Sequence, residues 1–89
     1  MGQIASTYDI MLNGTDVDPQ GVVAGIPGIL PAGVELKSAE VKDFVFGMKK
    51  VVAFFVIDDS IDGVGGQLED GLRSIDGVGE IECSDSTTL

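Results

Sequence analysis

The segment with the most chemical content runs from Asp58 to Glu69. Asp58, Ser60, Asp62 and Glu69 occupy positions 1, 3, 5 and 12 of it, with Gly63 at position 6, the oxygen-ligand spacing of a Ca²⁺-binding loop. These four residues form a candidate metal site. The match is partial, because position 8, where such loops carry a branched apolar residue, is Gly65, and the preceding segment reads as strand where the motif needs helix. The competing reading is an acidic strand-to-helix loop whose carboxylates stay solvated. Gly63-Val64-Gly65-Gly66 also sits between a strand and a helix, as a phosphate cradle would. However, the third glycine of a dinucleotide fingerprint falls at Leu68, no Lys-Ser/Thr pair follows, and Asp58, Asp59 and Asp62 repel phosphate. These glycines are read as turn residues that need positive φ.

A second pattern is Phe46-Gly47-Met48 followed by Lys49 and Lys50, two of only five cations in the chain. An aromatic at a glycine bend beside positive charge suits an anchor for an acidic or amphipathic partner surface. The plainer reading is a strand-to-strand bend with solvated lysines. Ordinary hydrolytic chemistry has little to work with: without histidine there is no usual general base, commonest metal ligand or Ser-His or Cys-His pair. Among 15 carboxylates, close pairs arise by chance.

The elements that must position these residues follow from periodicity. Ile4, Tyr8, Ile10 and Leu12 share one parity, with Ser6 as the exception, so Gln3 to Leu12 is predicted as a strand with one buried face. Asn13-Gly14 supplies a turn, and Asp16 or Asp18 before Pro19 forms a helix start. That helix is expected to be short or broken near Pro27. Val34 to Phe46 reads as an extended edge strand ending at a Gly47 bend. Val51 to Ile57 is seven apolar residues in succession, rich in β-branched and aromatic types, and is predicted as a central strand. A glycine-rich loop from Ser60 to Gly66 leads to a second helix carrying Leu68, Leu72 and Ile75 and closing at Gly77, and Glu80 to Thr87 forms a last strand.

The order β-α-β-β-α-β implies a ferredoxin-like α+β fold: a four-stranded antiparallel sheet with both helices on one face. Residues 1–89 then form one domain. Val51 to Ile57 is apolar in both phases, so the second sheet face either lies under a loop or docks a partner.

The net charge is −10 with pI near 4.1. This opposes direct nucleic-acid binding, which needs clustered Lys and Arg, and disfavours an anionic membrane surface. No apolar run approaches the roughly 18 residues of a spanning helix. The start lacks the features of a secretory signal; Met1-Gly2 with Ser6 fits myristoylation spacing, yet strand alternation continues through it. With a lone Cys83 besides, a cytoplasmic location is expected.

Phe46-Gly47-Met48-Lys49-Lys50-Val51, with Val56-Ile57-Asp58-Asp59, resembles the hallmark of translation elongation factor 1-beta. The archaeal, single-domain form of that family is similar along the whole chain: Met1-Gly2, Met11, Asp16-Val17-Asp18, Leu30-Pro31-Ala32-Gly33 and Ile75-Asp76-Gly77-Val78 fall in the expected order. The resemblance implies a guanine-nucleotide exchange factor, not an enzyme, that acts on the GTPase elongation factor 1-alpha and requires no cofactor. By the same analogy Phe46 and Gly47, with Met48, Lys49 and Lys50, would contact the GTPase β-barrel domain. Thr88 and Leu89 would approach its Mg²⁺ and phosphate site. Many relatives carry a basic residue near the C-terminus; this chain ends Ser86-Thr87-Thr88-Leu89. Any effect there would be steric or through the backbone. The alternative function is a ferredoxin-like regulatory module that binds Ca²⁺ or a small ligand and self-associates through its open sheet face.

Overall fold

The computed structural model describes residues 2–44 and 47–89. The elements are β1 (Gln3–Leu12), α1 (Pro19–Gly25), a 3₁₀ turn (Ile26–Ile29), β2 (Val34–Asp43), β3 (Lys49–Asp58), α2 (Val64–Ser74) and β4 (Val78–Thr88). The strands form one antiparallel sheet in the order β2-β3-β1-β4. This is the ferredoxin-like arrangement expected from the element order.

Alternation fixes which side of each strand is buried. In β3, Val51, Ala53, Phe55 and Ile57 lie beneath the helices and are buried; Val52, Phe54 and Val56 point the other way and are only partly covered. Tyr8, Ile10 and Leu12 of β1 join the buried set, and Tyr8 meets Phe55 edge-on at 5.9 Å. The helices close this core with Val22, Leu68 and Leu72, and Ile26 of the 3₁₀ turn adds to it. Each large apolar side chain buried here contributes about 1.5–3 kcal/mol. Ser6 is the polar exception on this face: it points to the helix side, is buried, and has its Oγ 3.5 Å from Ser86 Oγ.

The helix boundaries have local causes. The Asp18 carboxylate accepts the Gln20 N–H at 3.0 Å and Pro19 takes the first turn, so α1 starts as predicted. After Gly25 the chain tightens into the 3₁₀ turn that contains Pro27, which is the expected break. The second helix differs from expectation at both ends. It begins at Val64, after Gly63 at φ +74°, so Gly65 and Gly66 are helical and not positive-φ turn residues. Burial of Val64 beside Leu68 draws that first turn in. It ends at Ser74; Ile75 is already extended, and Gly77 at φ +96° turns the chain into β4. A Cβ on Gly77 would lie 2.6 Å from Val17 Cγ1, so glycine is required by space as well as conformation.

β2 is an edge strand, as predicted, but ends at Asp43. Phe44 N–H still donates to Met48 C=O at 2.8 Å, closing the β2–β3 hairpin. β4 is the other edge. Its register slips twice against β1: Thr7 faces Asp85 while Tyr8 faces Cys83, and Met11 faces Glu80 while Leu12 faces Val78. Ser84 and Gly79 are the extra residues of these bulges.

Candidate functional site

The register defines the sheet face that the helices leave open. Four cross-strand rows run from β2 to β4: Lys42, Lys50, Met11 and Glu80; then Glu40, Val52, Asp9 and Glu82; then Ser38, Phe54, Thr7 and Asp85; then Glu35, Val56, Ala5 and Thr87. The β3 column is apolar from Val52 to Val56, and the β4 column is acidic from Glu80 to Asp85. Phe44 stands at the hairpin end of this face, 38% exposed. Lys50 Nζ lies 5.3 Å from its ring centroid and 3.1 Å from Asp9 Oδ2, so one cation bridges the ring and the carboxylate. Both partners of that pair are largely covered.

The residues named from sequence distribute as follows. Phe46 lies outside the described residues. Gly47 adopts φ +74° at the hairpin bend, and Met48 closes the hairpin through its carbonyl. Lys49 pairs with Asp43 and Lys50 with Asp9; the first pair is exposed and the second largely covered. The Lys49 ammonium holds the Asp43 carboxyl below its usual range. The remaining cations are also engaged, Lys37 with Glu35, Lys42 with Glu40, and Arg73 with Glu69 and Asp70. Six of the 15 carboxylates therefore have a Lys or Arg partner, and nine have none.

Thr88 ends β4 opposite Ile4, and Leu89, 67% exposed, donates its N–H to Gln3 C=O. They lie at the far end of the sheet from the hairpin. Ile4 and Met11, which mark the two ends on β1, are seven residues apart, or about 23 Å at 3.3 Å per residue.

The Ca²⁺ ligand positions are not gathered around a common point. Asp58 Oδ1 accepts both Ser60 N–H at 3.0 Å and Ser60 Oγ–H at 2.7 Å, and these bonds hold its carboxyl below the usual range. Glu69 lies in α2, where Oε2 accepts the Tyr8 hydroxyl at 2.9 Å and Oε1 faces Arg73. The physical reason is that the helix starts at Val64, inside the twelve-residue segment, and carries Glu69 onto the helix–sheet interface. Among the described residues no group of three or more His, Cys, Asp or Glu side chains is placed to hold a metal. Burial first, and then the Glu69 carboxylate, push the Tyr8 phenol above its ordinary pKa, so it stays a neutral donor. A cleft of about 370 Å³ opens beside this bond, with Ser6, Ser86 and Cys83 on its wall.

The sequence does not single out Phe44 or Asp9. Phe44 falls inside the expected Val34 to Phe46 strand, whereas the strand ends one residue before it. The available signal for Asp9 was a carboxylate in the middle of a central strand's open-face parity, which needs a partner when neighbours cover it.

Residues 5–88 match the family described as the EF-1 guanine nucleotide exchange domain. The chain is 29% identical over 89 residues to elongation factor 1-beta of Archaeoglobus fulgidus, covering all of both chains. It is 30% identical over 91 residues to elongation factor 1-beta of Methanobrevibacter smithii, covering 100% of this chain and 99% of that one. Among solved structures, the ACT domain from GTP pyrophosphokinase of Chlorobium tepidum superposes with TM-score 0.61 at 17% identity, over 91% of this chain and 97% of that chain. That likeness concerns the fold alone. No helix among the described residues is long and apolar enough to cross a membrane.

Proposed function

Because the chain belongs to the family of EF-1 guanine nucleotide exchange domains, we propose that it promotes GDP-to-GTP exchange on the translation GTPase elongation factor 1-alpha. The observation that carries this reading is the match of residues 5–88, end to end with archaeal elongation factors 1-beta. The factor performs no chemistry of its own. It lowers the affinity for GDP by binding the emptied GTPase more tightly than the loaded one, and linkage makes the two effects equal. A thousandfold preference takes about 4 kcal/mol, within reach of a small interface.

The segment Phe46, Gly47, Met48, Lys49 and Lys50 is the principal contact with the GTPase, and Thr88 with Leu89 the second. Their separation of about 23 Å along the sheet lets one rigid domain touch two parts of the GTPase at once. Lys50 is held by Asp9 and largely covered, whereas Lys49 is half exposed. The hairpin contact therefore rests chiefly on apolar and aromatic surface with Lys49 at its border, and the C-terminal contact on backbone and on the exposed Leu89.

Release of fluorescent GDP from purified elongation factor 1-alpha tests the reading. Substoichiometric factor is expected to accelerate release, and Phe46→Ala to weaken the acceleration while thermal unfolding stays unchanged. Release at the same rate with and without excess factor would refute it.

A further inference from the structure

Resting on that reading, we infer that the open sheet face is a further docking surface beside the hairpin and the C-terminal end, and that its occupant is a basic segment of the GTPase with apolar side chains at its centre. Three features converge on this chemistry. The β3 column Val52, Phe54 and Val56 is apolar and only partly covered, and such residues on a solvent-facing side need a reason to be there. Phe44 extends the apolar surface at the hairpin end, its ring held by Lys50, which the Asp9 carboxylate anchors in turn. The β4 column bordering the face carries Glu80, Glu82 and Asp85, all exposed and none with a Lys or Arg partner.

An apolar strip separated from uncompensated edge carboxylates by the width of β1 complements a segment whose Lys or Arg side chains reach over one edge. A second copy of this chain fits poorly. The open face carries Asp9, Glu35, Glu40, Glu80, Glu82 and Asp85 against Lys42 and Lys50, so two such faces brought together would meet with a net excess of negative charge on both sides. The bulged, acidic β4 edge likewise resists strand-to-strand addition between copies. The face is continuous with the hairpin, so a partner seated on Phe44 reaches Val52 without leaving the protein surface.

The test is calorimetric titration of nucleotide-free elongation factor 1-alpha with the full chain at 50 mM and 1 M salt, run with GDP-release assays on the same samples. The triple variant Glu80→Gln/Glu82→Gln/Asp85→Asn keeps side-chain size and alters only exposed positions. Its affinity is expected to fall about tenfold at low salt and to converge with wild type at high salt, where exposed charges are screened. Phe54→Thr, which keeps strand propensity, is expected to lose about tenfold at both salts, because apolar burial is not screened. Should Phe54→Thr lose its thermal transition, the charge variant alone decides. Wild-type affinity for the triple variant at 50 mM salt, or a wild-type homodimer at low salt, would overturn the inference while wild-type GDP release stands. Failure of the wild-type chain to accelerate release would instead strike the exchange reading.

Discussion

Asp58 and Ser60 show how one local arrangement displaces another. The Asp58 carboxylate, which accepts two hydrogen bonds from the same serine on Oδ1, forms an Asx turn that starts the loop after β3 and turns the Ser60 hydroxyl onto Asp58. The folded pKa of Asp58 lies below the ordinary aspartate value, so the contribution of this turn is complete above the unfolded pKa and is lost as pH falls through the folded one. In Ser60→Ala the Asp58 carboxyl should titrate back up toward the ordinary aspartate range, as read by carbon NMR of the side chain. An unchanged midpoint would show that Ser60 is not the cause. Asp9 and Lys50 carry the opposite lesson: the spacing of a strand residue says which face it takes but not which charge waits across the sheet.

At the scale of elements, α2 and the 3₁₀ turn meet at Gly71. A Cβ there would stand 2.9 Å from Ile29 C=O and 3.1 Å from Ile29 Cδ1. Two effects compete in Gly71→Ala. Helix propensity gains about 1 kcal/mol, while overpacking against a backbone oxygen costs about 1–3 kcal/mol. The oxygen belongs to the backbone of the 3₁₀ turn and cannot rotate aside as a side chain would, so the cost is expected to win. Thermal unfolding of Gly71→Ala should shift to lower temperature; a rise would mean that the turn yields. The helix ends illustrate the same competition. Gly65 and Gly66 read as loop by propensity, but burying Val64, Leu68 and Leu72 on one face extends the helix through them.

The whole molecule carries −10 charge on 89 residues, and nine of its carboxylates have no Lys or Arg partner. Most of the ion pairs that do form are exposed and worth little. Self-repulsion among the remaining carboxylates therefore outweighs what salt removes from those pairs. Raising KCl from 50 mM to 500 mM, which shortens the screening length from about 14 Å to about 4 Å, should raise the midpoint of thermal unfolding. A falling midpoint would assign the net stabilisation to the ion pairs instead.

Strand alternation, the Asp18-Pro19 helix start and the apolar Val51–Ile57 run were enough to read the element order, and with it the ferredoxin-like fold, because these signals depend on near neighbours in the chain. The Phe46-Gly47 segment and its companions likewise sufficed for the family. What had to wait for the folded chain involves residues far apart in sequence: Lys50 held by Asp9 across the sheet, Glu69 drawn to Tyr8 by the helix, and the bulges at Ser84 and Gly79 that set the β4 register. The periodicity of one segment specifies a face. Only the register between segments decides what that face meets, since a slip of one residue turns every side chain to the other side.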